Sequence, residues 1–255
     1  MTSASTFFGV PTPILPTSLL DSALMIADPA RRTLWYMCVI ISLSSLNYPD
    51  VIPQVMSHFT EHHLSSNSPI YTDDDARSTA VRQIREGLIK STGIVGAART
   101  GVAMRTLGNC IPEEYREKGD EAMHSPRKEE SVEEARRRGK EFWLNIYARN
   151  PAFDQNATVR ASADYAFIIR GRSPLRACVF LSWPSEPLET GYAIVAALYG
   201  MDAQTQLQHH MKGMLFNGAT HEDLLELQQL CLGIAKELGV VFRFPNAPIP
   251  NVDGL

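Results

Sequence analysis

QLQHHMKGMLFNGATHEDLLEL, residues 206–227, is the stretch on which the reading of this 255-residue chain turns. Its first part continues a helix expected from Asp202 to Phe216, and Asn217-Gly218 supplies a C-cap for it. Thr220 then opens a last helix. Thr220-x-x-Asp223 is a near capping box, with aspartate standing where glutamate is usual, and Leu238-Gly239 marks the end. Two helices joined by a short capped turn, with no alternating strand pattern in either, point to an all-α chain.

Outward from this pair, the rest of the sequence reads the same way. Leu188 to Tyr199 is strongly apolar and helical, and Asp154 to Ile169 is a further helix. Ser131 begins a helix with Glu133-Glu134 early and Arg136-Arg137-Arg138 later, an order that complements the helix dipole. Asp73 to Leu107 is one long helical region broken near Gly93 and Gly96, with Asp73-Asp74-Asp75 as its acidic start. Thr17 to Ala27, Pro29 to Asn47 and Val51 to His63 complete the set. Asn47-Tyr48-Pro49 stops the second of these, because a residue before proline leaves the helical basin. Val240-Val241-Phe242 and Ala177-Cys178-Val179-Phe180 are the only strand-like runs, and both read as loop. The organisation expected is an extended segment 1–16, a helical domain 17–241 and an extended tail 242–255. At this length either one large domain or two helical halves, roughly 17–110 and 131–241 with a charged connection 111–130, would bury a core.

A net charge of −4 gives no electrostatic reason to expect nucleic acid or an anionic membrane as partner. The longest apolar run, Leu34 to Leu46, is about 13 residues with three serines, too short to span a bilayer and better read as a buried helix. Residues 1–18 carry three prolines and no basic residue, and Asp253-Gly254-Leu255 is not the peroxisomal tripeptide, so a cytoplasmic location is expected. Cys38, Cys110, Cys178 and Cys231 are scattered, with no C-x-x-C pair, and read as reduced interior residues. Asn156-Ala157-Thr158 matches a glycosylation sequon, a triplet common by chance.

Residues 206–227 resemble the signature of the carboxymuconolactone decarboxylase-like (AhpD-like) superfamily, in which a histidine precedes a turn glycine by eight residues and a capped helix follows. His210, Gly218 and Thr220 match those positions. REGLIKSTGIVGAARTGVAMRTL (85–107) and LWYMCVIISLSSLNYPDVIP (34–53) are similar to segments of longer, fungal-type members. The resemblance implies an AhpD-like helical bundle and self-association. The thiol peroxidases of that superfamily carry two cysteines ahead of the histidine; Ala203 and Gln206 stand there, so no thiolate is available for that chemistry.

What the resemblance leaves is cofactor-free acid–base chemistry of the lyase, decarboxylase, isomerase or cyclase type on a small organic acid or natural-product intermediate. His210 is the expected proton donor or acceptor, with adjacent His209 as the substitute if the register shifts by one. Glu189, about twenty residues upstream, matches a family glutamate that pairs with the histidine only across a two-residue gap; a first-turn glutamate favoured by the helix dipole explains it equally. Arg85 and Arg99 are candidate carboxylate anchors, and Glu86 and Lys90 lie in the same segment as an ordinary i, i+4 pair. His58 and His62 have metal-binding spacing but read as surface residues, so neither metal nor other cofactor is expected. The competing reading is a non-catalytic ligand-binding or oligomeric scaffold.

Overall fold

A helix that is apolar on every face persists only when protein surrounds it, and two such helices organise this molecule. They are α2 (Pro29–Leu46) and α7 (Pro187–Gly200). Residues 36–45 of α2 and 192–199 of α7 are buried without interruption. The computed structural model describes residues 6–65, 68, 70, 71, 73–117, 130–147 and 187–252, together with the single positions 154, 160, 162 and 163. Apart from those single positions, the expected helix 154–169 lies outside the described residues. So do the 177–180 run, Cys178 and the Asn156 sequon.

The chain is helical, as its pattern predicts. A short α1 (Thr17–Asp21) gives way to a 3₁₀ turn at Ser22–Met25, where one continuous helix to Ala27 was expected. Asp28 caps α2 by accepting from the Ala30 amide at 3.0 Å, with Pro29 preset for the first turn. Asn47, at φ +67°, ends it in the left-handed region that asparagine tolerates. Then come α3 (Ile52–Phe59), which runs into a π-helical turn at Thr60–Leu64, and α4 (Asp74–Val95), capped by Asp73. Gly96, at φ +91°, breaks the chain before α5 (Ala97–Cys110). α6 (Val132–Tyr147), α8 (Gln204–Phe216) and α9 (His221–Glu237) complete the described helices. The capping box of α9 forms in full, Thr220 and Asp223 each bonding the other's backbone amide. The N-terminal stretch is not simply extended, since β1 (Thr6–Phe7) pairs antiparallel with β2 (Val10–Pro11). Val240–Phe242 is loop, and no helix among the described residues is long and apolar enough to cross a membrane.

α7 lies along α2: Gly200 meets Ser45 at one end, and Tyr192 and Cys38 share a groove nearer the other. Glycines set these distances. A Cβ on Gly200 would stand 2.9 Å from Ser45 Cβ, one on Gly191 2.5 Å from Met214 Cγ, and one on Gly213 3.1 Å from Ile146. α4 joins the same centre, with Gly87 against Met37 and Ile41. α7 thus touches α2, α4, α8 and α9 at once.

Gly200→Ala is therefore expected to destabilise the fold by about 1–3 kcal/mol, overpacking outweighing alanine's better helix propensity. Urea unfolding checks this. Ser45→Gly introduced alongside removes the atoms in the way and is expected to recover part of the loss.

Candidate functional site

Leu207, His210, Met211 and Met214 form the inward face of α8, and His210 is the polar member of that face. Gly213 allows α6 to approach, which brings Tyr147, at the end of α6, onto the histidine. The Tyr147 hydroxyl lies 3.0 Å from His210 Nε2 and 3.3 Å from Gln206 Oε1, one helical turn earlier on α8. His209 meets the Tyr147 ring edge-on at 5.9 Å. It is half-buried. Burial, and secondarily the neighbouring His209, pulls the His210 pKa down to about 3. Burial and the charge of Lys212 lower that of His209. His210 is therefore a neutral imidazole at physiological pH.

A phenol has one proton, and among the described residues Gln206 Oε1 and His210 Nε2 can each accept it. When Tyr147 donates to Gln206, its oxygen accepts from His210 Nε2–H and the lone pair resides on Nδ1. When Tyr147 donates to Nε2, Nδ1 carries the hydrogen. The hydroxyl orientation is thus matched to the tautomer, and interconversion requires a proton to leave one ring nitrogen while another arrives at the second.

The other expected residues are dispersed. Glu189 makes no hydrogen bond to His210; its carboxylate acts on the buried Cys38 thiol of α2, whose pKa burial, Cys231 and Glu189 all raise. The Arg99 guanidinium donates through Nη1 to Ser45 O at 2.6 Å, offsetting the carbonyl end of α2. Arg85 likewise donates to Tyr115 O and lies 3.8 Å from Glu117. Lys90 is not at the surface but 1 % exposed, with Nζ donating to Thr190 Oγ1 of α7 at 2.7 Å. Glu86 remains half-buried on α4. The long hydrocarbon stem of Lys90 and its single charge fit a helix interface better than a helical pair motif suggests.

A second polar cluster was not expected. His58, read as a surface residue, is buried; its Nδ1 lies 2.7 Å from the Tyr36 hydroxyl and its Nε2 3.1 Å from the Asp21 carboxylate. This carboxylate–imidazole–phenol line connects exposed Asp21 to the fully buried Tyr36. His63, in the π-helical turn, is buried among Tyr36, Phe59 and Tyr71, with neither ring nitrogen hydrogen-bonded. Burial, then the charges of Arg32, His62 and His58, lowers its pKa to about 3. Cys38 and Cys231 are buried thiols and Cys110 is half-buried.

No protein-family model and no solved structure matches the chain. It is 28% identical over 208 residues, 82% of its own length and 88% of the relative's, to Peroxisomal protein 2 of Schizosaccharomyces pombe.

His63 and His210 make stability depend on pH. Between pH 6.5 and about 3 the unfolded chain holds these two protons and the folded chain does not, so stability is lost as pH falls through that window. Each contributes a loss of roughly 2 kcal/mol by pH 5. Urea titrations at pH 7.5 and 5 are expected to show a smaller difference for His210→Gln than for the unsubstituted protein. An unchanged difference would mean that His210 is protonated in the fold.

Proposed function

We propose that the chain is a cofactor-independent acid–base enzyme, of the lyase, decarboxylase, isomerase or cyclase type, that acts on a small organic acid or natural-product intermediate. His210 is its proton donor and acceptor. The observation that carries this reading is the Gln206–Tyr147–His210 line, in which a buried neutral imidazole can present either tautomer. A carbanion or enolate formed from a carboxylic acid needs a proton taken from one position and returned at another, and one nitrogen that alternates between lone pair and N–H serves both steps. Substrate anion beside Nδ1 raises the imidazole pKa from its ligand-free value toward neutrality, which supplies the basicity that burial removes.

The resemblance of residues 206–227 to the carboxymuconolactone decarboxylase-like superfamily supports the same chemistry, and with it an AhpD-like bundle that self-associates. Glu189 has no place in this reading, since it makes no hydrogen bond to His210 among the described residues. His209, edge-on to Tyr147, tunes the pair. Arg85 and Arg99 are occupied by backbone carbonyls, which favours the alternative of a non-catalytic ligand-binding or oligomeric scaffold. For location, the cytoplasm stands against the compartment in the relative's name, and imaging of the tagged full chain in its own host decides between them.

Proton exchange tests the proposal even before the natural substrate is identified. Incubation in D₂O with a panel of β-keto acids and unsaturated lactone carboxylates is expected to give deuterium incorporation, read by NMR. His210→Ala should slow it at least ~100-fold and Tyr147→Phe ~10-fold. Exchange that survives His210→Ala would remove the assignment, and a chain inert to the whole panel would favour the scaffold. On any substrate turned over, kcat/KM is expected to show no acidic limb from His210 between pH 8 and 5, because the free-enzyme pKa lies near 3.

A further inference from the structure

A groove of about 500 Å³ opens between the turn at 24–28, α2, α7 and α9, away from the His210–Tyr147 pair. Leu34, Trp35, Leu227 and Leu230 make its walls apolar, and Cys38 and Tyr192 lie at its floor. That volume is within the range of small-molecule sites, which combine an apolar lining with a few fixed polar groups.

The polar groups are Asp28, Arg31, Asp223 and Glu226. Arg31 Nη2 bonds Asp223 at 2.7 Å and Glu226 at 3.1 Å, so its single charge is set against two carboxylates. Burial pushes the Asp223 carboxyl up, but hydrogen bonds from the Thr220 backbone and hydroxyl and from the Tyr192 hydroxyl, with the Arg31 charge, outweigh it and hold the group below the usual carboxylate range. It stays ionised at any physiological pH. Arg32 points elsewhere, donating to the carbonyls of Leu24 and Ile26, and so stiffens the turn that forms one wall. Three carboxylates against one engaged guanidinium leave the lining net negative, and Glu189 adds its charge near Cys38 at the floor.

We propose that this groove binds an amphipathic organic cation, an apolar body carrying a protonated amine. The body replaces water along Leu34, Leu227 and Leu230, and the ammonium reaches Asp223 and Glu226, with the Trp35 ring beside it. An aliphatic acid of the same size would bring its carboxylate against like charge. This selectivity is opposite to that of the His210 chemistry, so the proposal stands whether or not that reading does.

Isothermal titration of the full chain with octylamine, 1-octanol and octanoate at pH 7 and low salt tests it. The amine is expected to bind at least about tenfold tighter than the acid, with the alcohol between them, and the preference should shrink at high salt. Glu226→Gln, at an exposed position, should weaken the amine severalfold and leave the alcohol unchanged. Leu230→Arg places a cation in the groove and should abolish amine binding, with circular dichroism to verify folding. Octanoate binding as tightly as octylamine, no amine binding at millimolar concentration, or amine binding indifferent to Glu226→Gln would each overturn the proposal.

Discussion

The fold depends on one close approach, that of α7 to α2. Two helices so largely apolar cannot be stabilised separately; each covers the other, and α4 covers both. Because Gly200 has no side chain, its backbone settles onto Ser45, and Arg99 donates to the Ser45 carbonyl at that same end. The arginine thereby offsets the negative end of the α2 dipole. Everything described as a site hangs from this pair. Lys90 reaches Thr190 on α7, Gly191 seats Met214 of α8, and α8 in turn carries His210 to Tyr147.

Helix positions were legible because local rules decide them. Asp73 and Thr220 cap where their side chains predict, and helices end at Gly96 and at Asn47, ahead of Pro49, as expected. The all-round apolar runs correctly marked the buried helices. The errors lie at α1, which tightens to 3₁₀ after five residues, and at residues 6–11, where a pairing of two-residue strands is below what pattern can register.

The site was less legible, because burial and orientation of a polar side chain are tertiary facts. His210 was singled out by its neighbours in the sequence, yet its partner Tyr147 lies 63 residues away on another helix. Arginines offer five donors, and nothing local says that carbonyls of Tyr115 and Ser45 will accept from Arg85 and Arg99. His58 and His63 carry no local mark of burial either. Spacing places two histidines on one face but does not say that Tyr36 and Tyr71 will close over it.

The π-helical turn at Thr60–Leu64 has a consequence for how this segment tolerates length changes. Such a turn holds one residue more than an α-helical turn, so the side chains beyond it are rotated by about 100° from where an uninterrupted helix would place them. His63 lies inside that turn, between Phe59 and Tyr36. Loss of a single residue from 60–64 would remove the residue that the Ser65–Thr60 backbone bond encloses and so change which side chain is set against Tyr36, while every sequence position nearby stayed recognisable. The segment is thus a register switch written in residue count, and its length is a more informative marker of the Tyr36 cluster than the presence of histidine.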